Sequence, residues 1–121
     1  MKDSIIQQKT KDFALRIIKL YKYLTIAAEQ KEYILSKQVL RSGTSIGANV
    51  KEALRGQSRP DFRSKMNIAL KEASETEYWL DLLYKAEYIN ESAYRSIIDE
   101  NVEIIKILTS IVKSTAPLPR S

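Results

Sequence analysis

The chain has 121 residues, 44% hydrophobic and 29% charged, with a formal net charge of +5. That is the size of one domain and the composition of a folded one, which excludes a disordered or fibrous chain. It has no cysteine and no histidine, which excludes disulfides, thiolate nucleophiles, zinc–sulfur sites, Ser-His-Asp triads, Glu-x-x-His di-iron sites and imidazole proton shuttles.

An enzyme made from this chain would have only carboxylate, lysine or tyrosine chemistry, so a non-enzymatic protein without cofactor or metal is expected. Ile5 and Ile6 are followed at once by "QQKTKD", which is no signal peptide. No apolar run approaches the roughly 20 residues that span a membrane. A cytoplasmic protein with no membrane partner is expected. Three glycines and three prolines are too few for the turns of an all-β fold.

Helical periodicity marks four segments, at about 4–28, 31–56, 60–87 and 91–114. In the first, Ile6, Phe13, Ile17, Leu20, Tyr21 and Leu24 share one side, and Asp3 or Ser4 can cap its start. "AAEQKEY" (27–33) follows without glycine or proline. A single rod over both segments would be unusually long for a globular helix, so a short turn near Glu29 to Lys31 is expected. The second segment stops at Gly56. The third opens at "SRPDF", with Ser58 as N-cap, Pro60 in the first turn and Asp61 suited to the helix dipole. Its stripe is Phe62, Met66, Ala69, Ala73, Thr76, Leu80 and Leu83, an unbroken heptad alternation. The fourth follows Asn90 and carries Tyr94, Ile98, Ile105, Leu108 and Val112, before a loose tail at 116–121. Four helices of about 25 residues, each about 38 Å long, with short links imply one all-α domain: an antiparallel up-down-up-down four-helix bundle.

The stretch "QVLRSGTSIGANVKEALRG" (38–56) has the small polar composition of a loop. Wound as a helix, it sorts into three faces. Leu35, Val39, Ile46, Val50 and Ala53 form an apolar face. Lys37, Arg41, Lys51 and Arg55 lie opposite, and Gln38, Ser42, Ser45, Asn49 and Glu52 form a polar stripe between the two. Gly43 and Gly47, one turn apart, each cost about 1 kcal/mol against alanine in a helix interior. Close approach by another helix would offset that cost. The small stripe then meets either another subunit or a tightly packed neighbour helix, with Asn49 and Gln38 bonding across, or it only eases packing inside one subunit. "GTSIGANV" lacks the Gly-Lys-Ser/Thr ending of a phosphate loop and follows no strand. In helix four, Ile97, Ile104, Ile107 and Ile111 lie on a second side, away from Ile98, Val102, Ile105 and Val112. That arc is wider than a bundle helix needs. Another copy of the chain, or an unusually deep position in one bundle, would cover the surplus.

The pattern "Q..RSG.SI.AN..E" (Gln38, Arg41, Ser42, Gly43, Ser45, Ile46, Ala48, Asn49, Glu52) resembles the signature of bacterial four-helix-bundle proteins, also called 23S rRNA intervening-sequence proteins. "DF" (Asp61, Phe62) and "IALKEASETEYWL" (Ile68 to Leu80) are similar to that family's third helix. The resemblance covers roughly residues 10 to 115. The chain departs from it in lacking a proline before helix two, and in having Glu52-Ala53 where Glu-Gly is common. The resemblance implies a closed antiparallel bundle that assembles as a homopentamer. Some members are encoded within insertions in large-subunit rRNA genes, so the family name records gene location, not activity. A similar basic pentamer is the accessory variability determinant of diversity-generating retroelements, which binds nucleic acid and a reverse transcriptase. The family carries no recognised catalytic residues.

Charge points to a polyanion. Residues 1–65 hold 14 basic and 6 acidic residues, whereas residues 66–121 hold 6 and 9. Lys19, Lys22, Lys37, Arg41, Lys51, Arg55, Arg59 and Arg63 carry the excess. They suggest RNA or DNA backbone binding with little sequence preference. Otherwise they form a solvated face or pair with helix-three acids. The alternative function is a scaffold or accessory subunit for an enzyme encoded nearby, using end surfaces or outer aromatics such as Tyr23 and Trp79. Glu72 and Glu75, one turn apart, would suit a divalent ion less well than surface pairs such as Lys71 with Glu75.

Overall fold

In the computed structural model, residues 2–117 are described, side chains from Ile5 onward. The expected tail at 116–121 falls largely outside them. The first helix already begins at Lys2, so Asp3 and Ser4 lie inside its first turn and neither is the N-cap expected from the sequence. Four α-helices follow in order: α1 Lys2–Lys22, α2 Leu35–Leu54, α3 Arg59–Lys85 and α4 Glu91–Ser114. There is no strand among the described residues.

Two of the expected caps are in place. Ser58 accepts a hydrogen bond from the Asp61 backbone N–H at 3.1 Å, and Asn90 accepts from that of Ala93 at 2.8 Å. Each removes one of the free N–H groups that a helix start exposes. The α3 terminus differs from an ordinary glycine stop. Glu87 takes a left-handed φ of 69°, while Glu87 and Tyr88 donate back to the carbonyls of Tyr84 and Leu83. That is a Schellman closure with glutamate where glycine is usual.

The α1–α2 junction is longer than the expected turn. α1 continues into a π-helical turn at Tyr23–Ala27, which ends with the Ala28 N–H bonded to the Tyr23 carbonyl. Ala28 is extended, and α2 starts only at Leu35 rather than near residue 31. The cause is Glu32. Its backbone N–H bonds back to Leu24 O, and its buried carboxylate accepts from the N–H groups of Ile34 and Ser36 at 3.2 and 2.7 Å. Ser36 Oγ returns a bond to Glu32 O at 2.8 Å. A carboxylate at this helix start satisfies free donors and complements the dipole.

Gly56 does not end α2 through a left-handed conformation, since no glycine has positive φ. α2 stops at Leu54. Gly56 is small because a Cβ there would lie 2.7 Å from Asp61 Oδ2 and 3.0 Å from Ala53 O.

Neighbouring helices run in opposite directions. Gly47 lies beside Thr10 and Gly43 beside Ile17, so α1 and α2 are antiparallel. Asn101 bonds Ala73 O, Arg63 bonds Val112 O and Tyr84 stacks on Tyr94, so α3 and α4 are antiparallel. Lys9 pairs with Glu103 and Arg16 with Glu100, which makes α1 and α4 antiparallel too. The bundle is therefore up-down-up-down, with α2 packed most closely on α3 and α1, and the α1–α4 seam the thinnest.

The core is built from Ile6, Phe13, Ile17 and Leu24 of α1, Val39, Ile46 and Val50 of α2, Met66, Leu80 and Leu83 of α3, and Ile104 and Leu108 of α4. The wide apolar arc of α4 is mostly covered within the chain. Ile97, Ile98, Ile104 and Ile111 are buried, and Val102, Ile105, Ile107 and Val112 pack partly buried against the core. Exposed apolar side chains sit elsewhere, most strongly Ile26 (71%) and Ile34 (75%), with Tyr23 and Tyr33 in the same junction.

Candidate nucleic-acid interface

The small residues of α2 position the site by bringing helices close. A Cβ on Gly43 would lie 2.8 Å from Ile17 Cγ1, and one on Gly47 would lie 3.3 Å from Thr10 O. Both glycines therefore face α1 of the same chain. Ser42 is buried and accepts from Thr76 Oγ1 at 2.9 Å, joining α2 to α3. The rest of the stripe turns outward. Ser45 Oγ donates to Arg41 O, and Asn49 Nδ2 donates to Ser45 O, both within α2. Gln38 and Glu52 are exposed. The close approach of α1 and α2 needs no second copy, and among the described residues the amides of Gln38 and Asn49 make no bond to another helix.

The basic residues separate into three kinds. Arg41 is engaged: its guanidinium bonds Glu72 Oε2 at 3.2 Å and also pairs with Glu75. Those two carboxylates are thus held by Arg41 of α2 rather than by Lys71, and Glu75 also accepts from the indole N–H of Trp79 at 3.0 Å. Arg59 and Arg63 are engaged differently. They donate to Ser114 O at 3.0 Å and Val112 O at 3.3 Å, satisfying free carbonyls at the α4 C-terminus. Lys22, Lys37, Lys51 and Arg55 form the third kind: exposed, with no ion-pair partner among the described residues. Lys19 is exposed too, but lines a recess on the α1–α4 side with Arg16, Leu20 and Ile97.

Reading one helix at a time misses Lys11. Lys11 of α1 and Lys51 of α2 flank a groove of about 310 Å³, floored by Ala14, Thr44, Gly47 and Ala48. The groove exists because the glycine floor lets the two helices lie close, so only their pairing reveals it. No cluster of three metal-ligating side chains occurs among the described residues. The Tyr94 phenol is raised above its usual pKa by burial and then by the Asp81 charge. It lies at the far end of the bundle from Lys51.

The fold and this surface define an all-α four-helix bundle with a partly unpaired basic exterior. Its sequence matches the 23S rRNA-intervening sequence protein family over residues 2–110, and the chain belongs to that family. It is similar to the crystal structure of a protein with unknown function from the S23 ribosomal protein family of Bacteroides thetaiotaomicron VPI-5482. The two share 54% identity at a TM-score of 0.89, covering 93% of this chain and 99% of the other. No curated protein matches the chain. No helix among the described residues is long and apolar enough to cross a membrane.

Proposed function

We propose that the protein is a non-enzymatic, self-assembling bundle that holds RNA or DNA by its phosphate backbone. The observation carrying this is the set of cations without an ion-pair partner among the described residues at the end of α2 (Lys51, Arg55), joined by Lys11 across the groove. Exposed cations without acidic partners neutralise phosphates and release counterions, which supplies affinity without base readout. Arg41 and Arg59 contribute less, because their donors are already engaged within the chain. Self-assembly, as a pentamer, is supported by the family resemblance and by the exposed apolar side chains of the α1–α2 junction.

Binding to unrelated RNA or DNA sequences should be similar and should fall steeply with salt. Lys51→Glu with Arg55→Glu should weaken binding to all sequences, leaving helix content and oligomer mass unchanged. Absence of binding by the wild-type chain at low salt would overturn the reading. A stable monomer by light scattering at micromolar concentration would overturn the assembly part. The second reading, a scaffold for a neighbouring enzyme, is favoured by the same junction aromatics, Tyr23 and Tyr33, and would then take its place.

A further inference from the structure

The bundle's charge is divided along its axis. At the end where α2 passes into α3 lie also the start of α1 and the end of α4. Residues 5–12, 50–66 and 103–117 together hold nine lysines and arginines against four aspartates and glutamates. The other end, formed by residues 17–40 and 77–97, holds six of each. The aromatic residues divide the opposite way. All seven tyrosines and the tryptophan belong to the neutral end, and Phe62, partly buried, is the one aromatic in the basic ranges.

Helix dipoles do not explain or offset this. Two N-termini and two C-termini meet at the basic end, so their fields largely cancel. Arg59 and Arg63 are spent on the α4 carbonyls, and Lys9 pairs with Glu103. Six cations remain with no ion-pair partner among the described residues: Lys11, Lys51, Arg55, Lys65, Lys106 and Lys113. They come from all four helices in the half of the bundle nearer that end: Lys51, Arg55, Lys65 and Lys113 within about two turns of a helix end, Lys11 and Lys106 nearer mid-helix.

We infer that this basic end is the polyanion-binding surface and that its partner is a double-stranded nucleic acid, gripped by both backbones. The inference rests on the backbone-binding reading above and locates it. Single-strand binders need aromatic platforms on which bases stack, and the basic end exposes none. Cations spread over four helices reach phosphates on two strands, whereas a single strand would follow one groove. Lys22 and Lys37, equally exposed but at the neutral end, lie outside the surface.

The test measures fluorescence anisotropy of the full chain with labelled DNA and RNA duplexes of about 20 base pairs, and with their separate strands. Lys106→Glu with Lys113→Glu is compared with Lys22→Glu plus Lys37→Glu, an identical change in net charge at the other end. The first pair should raise the duplex Kd at least about tenfold and reduce the log–log salt slope by about two. The second should change Kd less than about threefold. Lys106→Gln with Lys113→Gln should give a smaller loss in the same direction, which separates charge from any fraying of α4. Equal losses at both ends, or a single strand bound about tenfold tighter than duplex, would overturn the inference while leaving backbone binding intact. No binding of any nucleic acid by the wild-type chain would instead remove the reading on which it rests. Parallel DNA and RNA arms show whether the sugar matters.

Discussion

Gly43 meets Ile17 so closely that a single methyl group becomes a probe of the α1–α2 contact. Alanine at 43 gains about 1 kcal/mol of helix propensity. Its Cβ, however, would sit 2.8 and 2.9 Å from the two γ-carbons of Ile17, a branched side chain fixed in the core. Overpacking of that kind costs about 1–3 kcal/mol, so Gly43→Ala should lower the urea midpoint by a net loss of up to about 2 kcal/mol. A midpoint equal to or above wild type would show that Ile17 yields freely. The periodicity of residues 38–56 reveals that these glycines need a close neighbour. It does not reveal which neighbour, because α1 and a second copy demand the same small side chains. The pairing of Arg41 with Glu72 and Glu75 is hidden for a similar reason. It joins residues more than thirty positions apart, which helical spacing within one segment never brings together.

Among the helices, starts and stops with side-chain signals were legible, and those without were not. Ser58 and Asn90 bond the backbone three residues ahead, so the starts of α3 and α4 follow from local sequence. The start of α2 depends on a glutamate folded back under the helix, inside a linker whose composition reads as helical. α3 ends at a residue that resists its own backbone: Glu87 at φ 69°. A non-glycine residue there costs roughly 1–2 kcal/mol, and glycine gives back part of that through unfolded-state entropy. Glu87→Gly should therefore raise stability by about 0.5–1 kcal/mol, read as a higher denaturant midpoint with an unchanged slope. A drop would mean that the Glu87 side chain holds the turn through contacts stronger than the backbone cost.

Taken whole, the molecule is a ring of four staves in which three joints are continuous in sequence and one is not. The discontinuous joint is the α1–α4 seam, the thinnest of the four. It is fastened largely by polar groups: Lys9 with Glu103, and Arg16 with Ser96 O at 3.2 Å, Ser96 Oγ at 2.6 Å and Glu100 at 2.7 Å. These groups are a third to a half exposed, so water screens them and each pair contributes at most roughly 1 kcal/mol. A joint of that kind is where the closed shape opens first. Backbone hydrogen exchange should then distinguish the staves, with α1 amides exchanging through a partial opening while those of α2 and α3 wait for global unfolding. Arg16→Ala should lower α1 protection by about fivefold and leave the slowest α2 and α3 amides nearly unchanged. A uniform fall across all four helices would show one cooperative unit. Otherwise α1 is the helix first let go, and for a brief fraction of its time the protein is a three-helix core with a hinged arm.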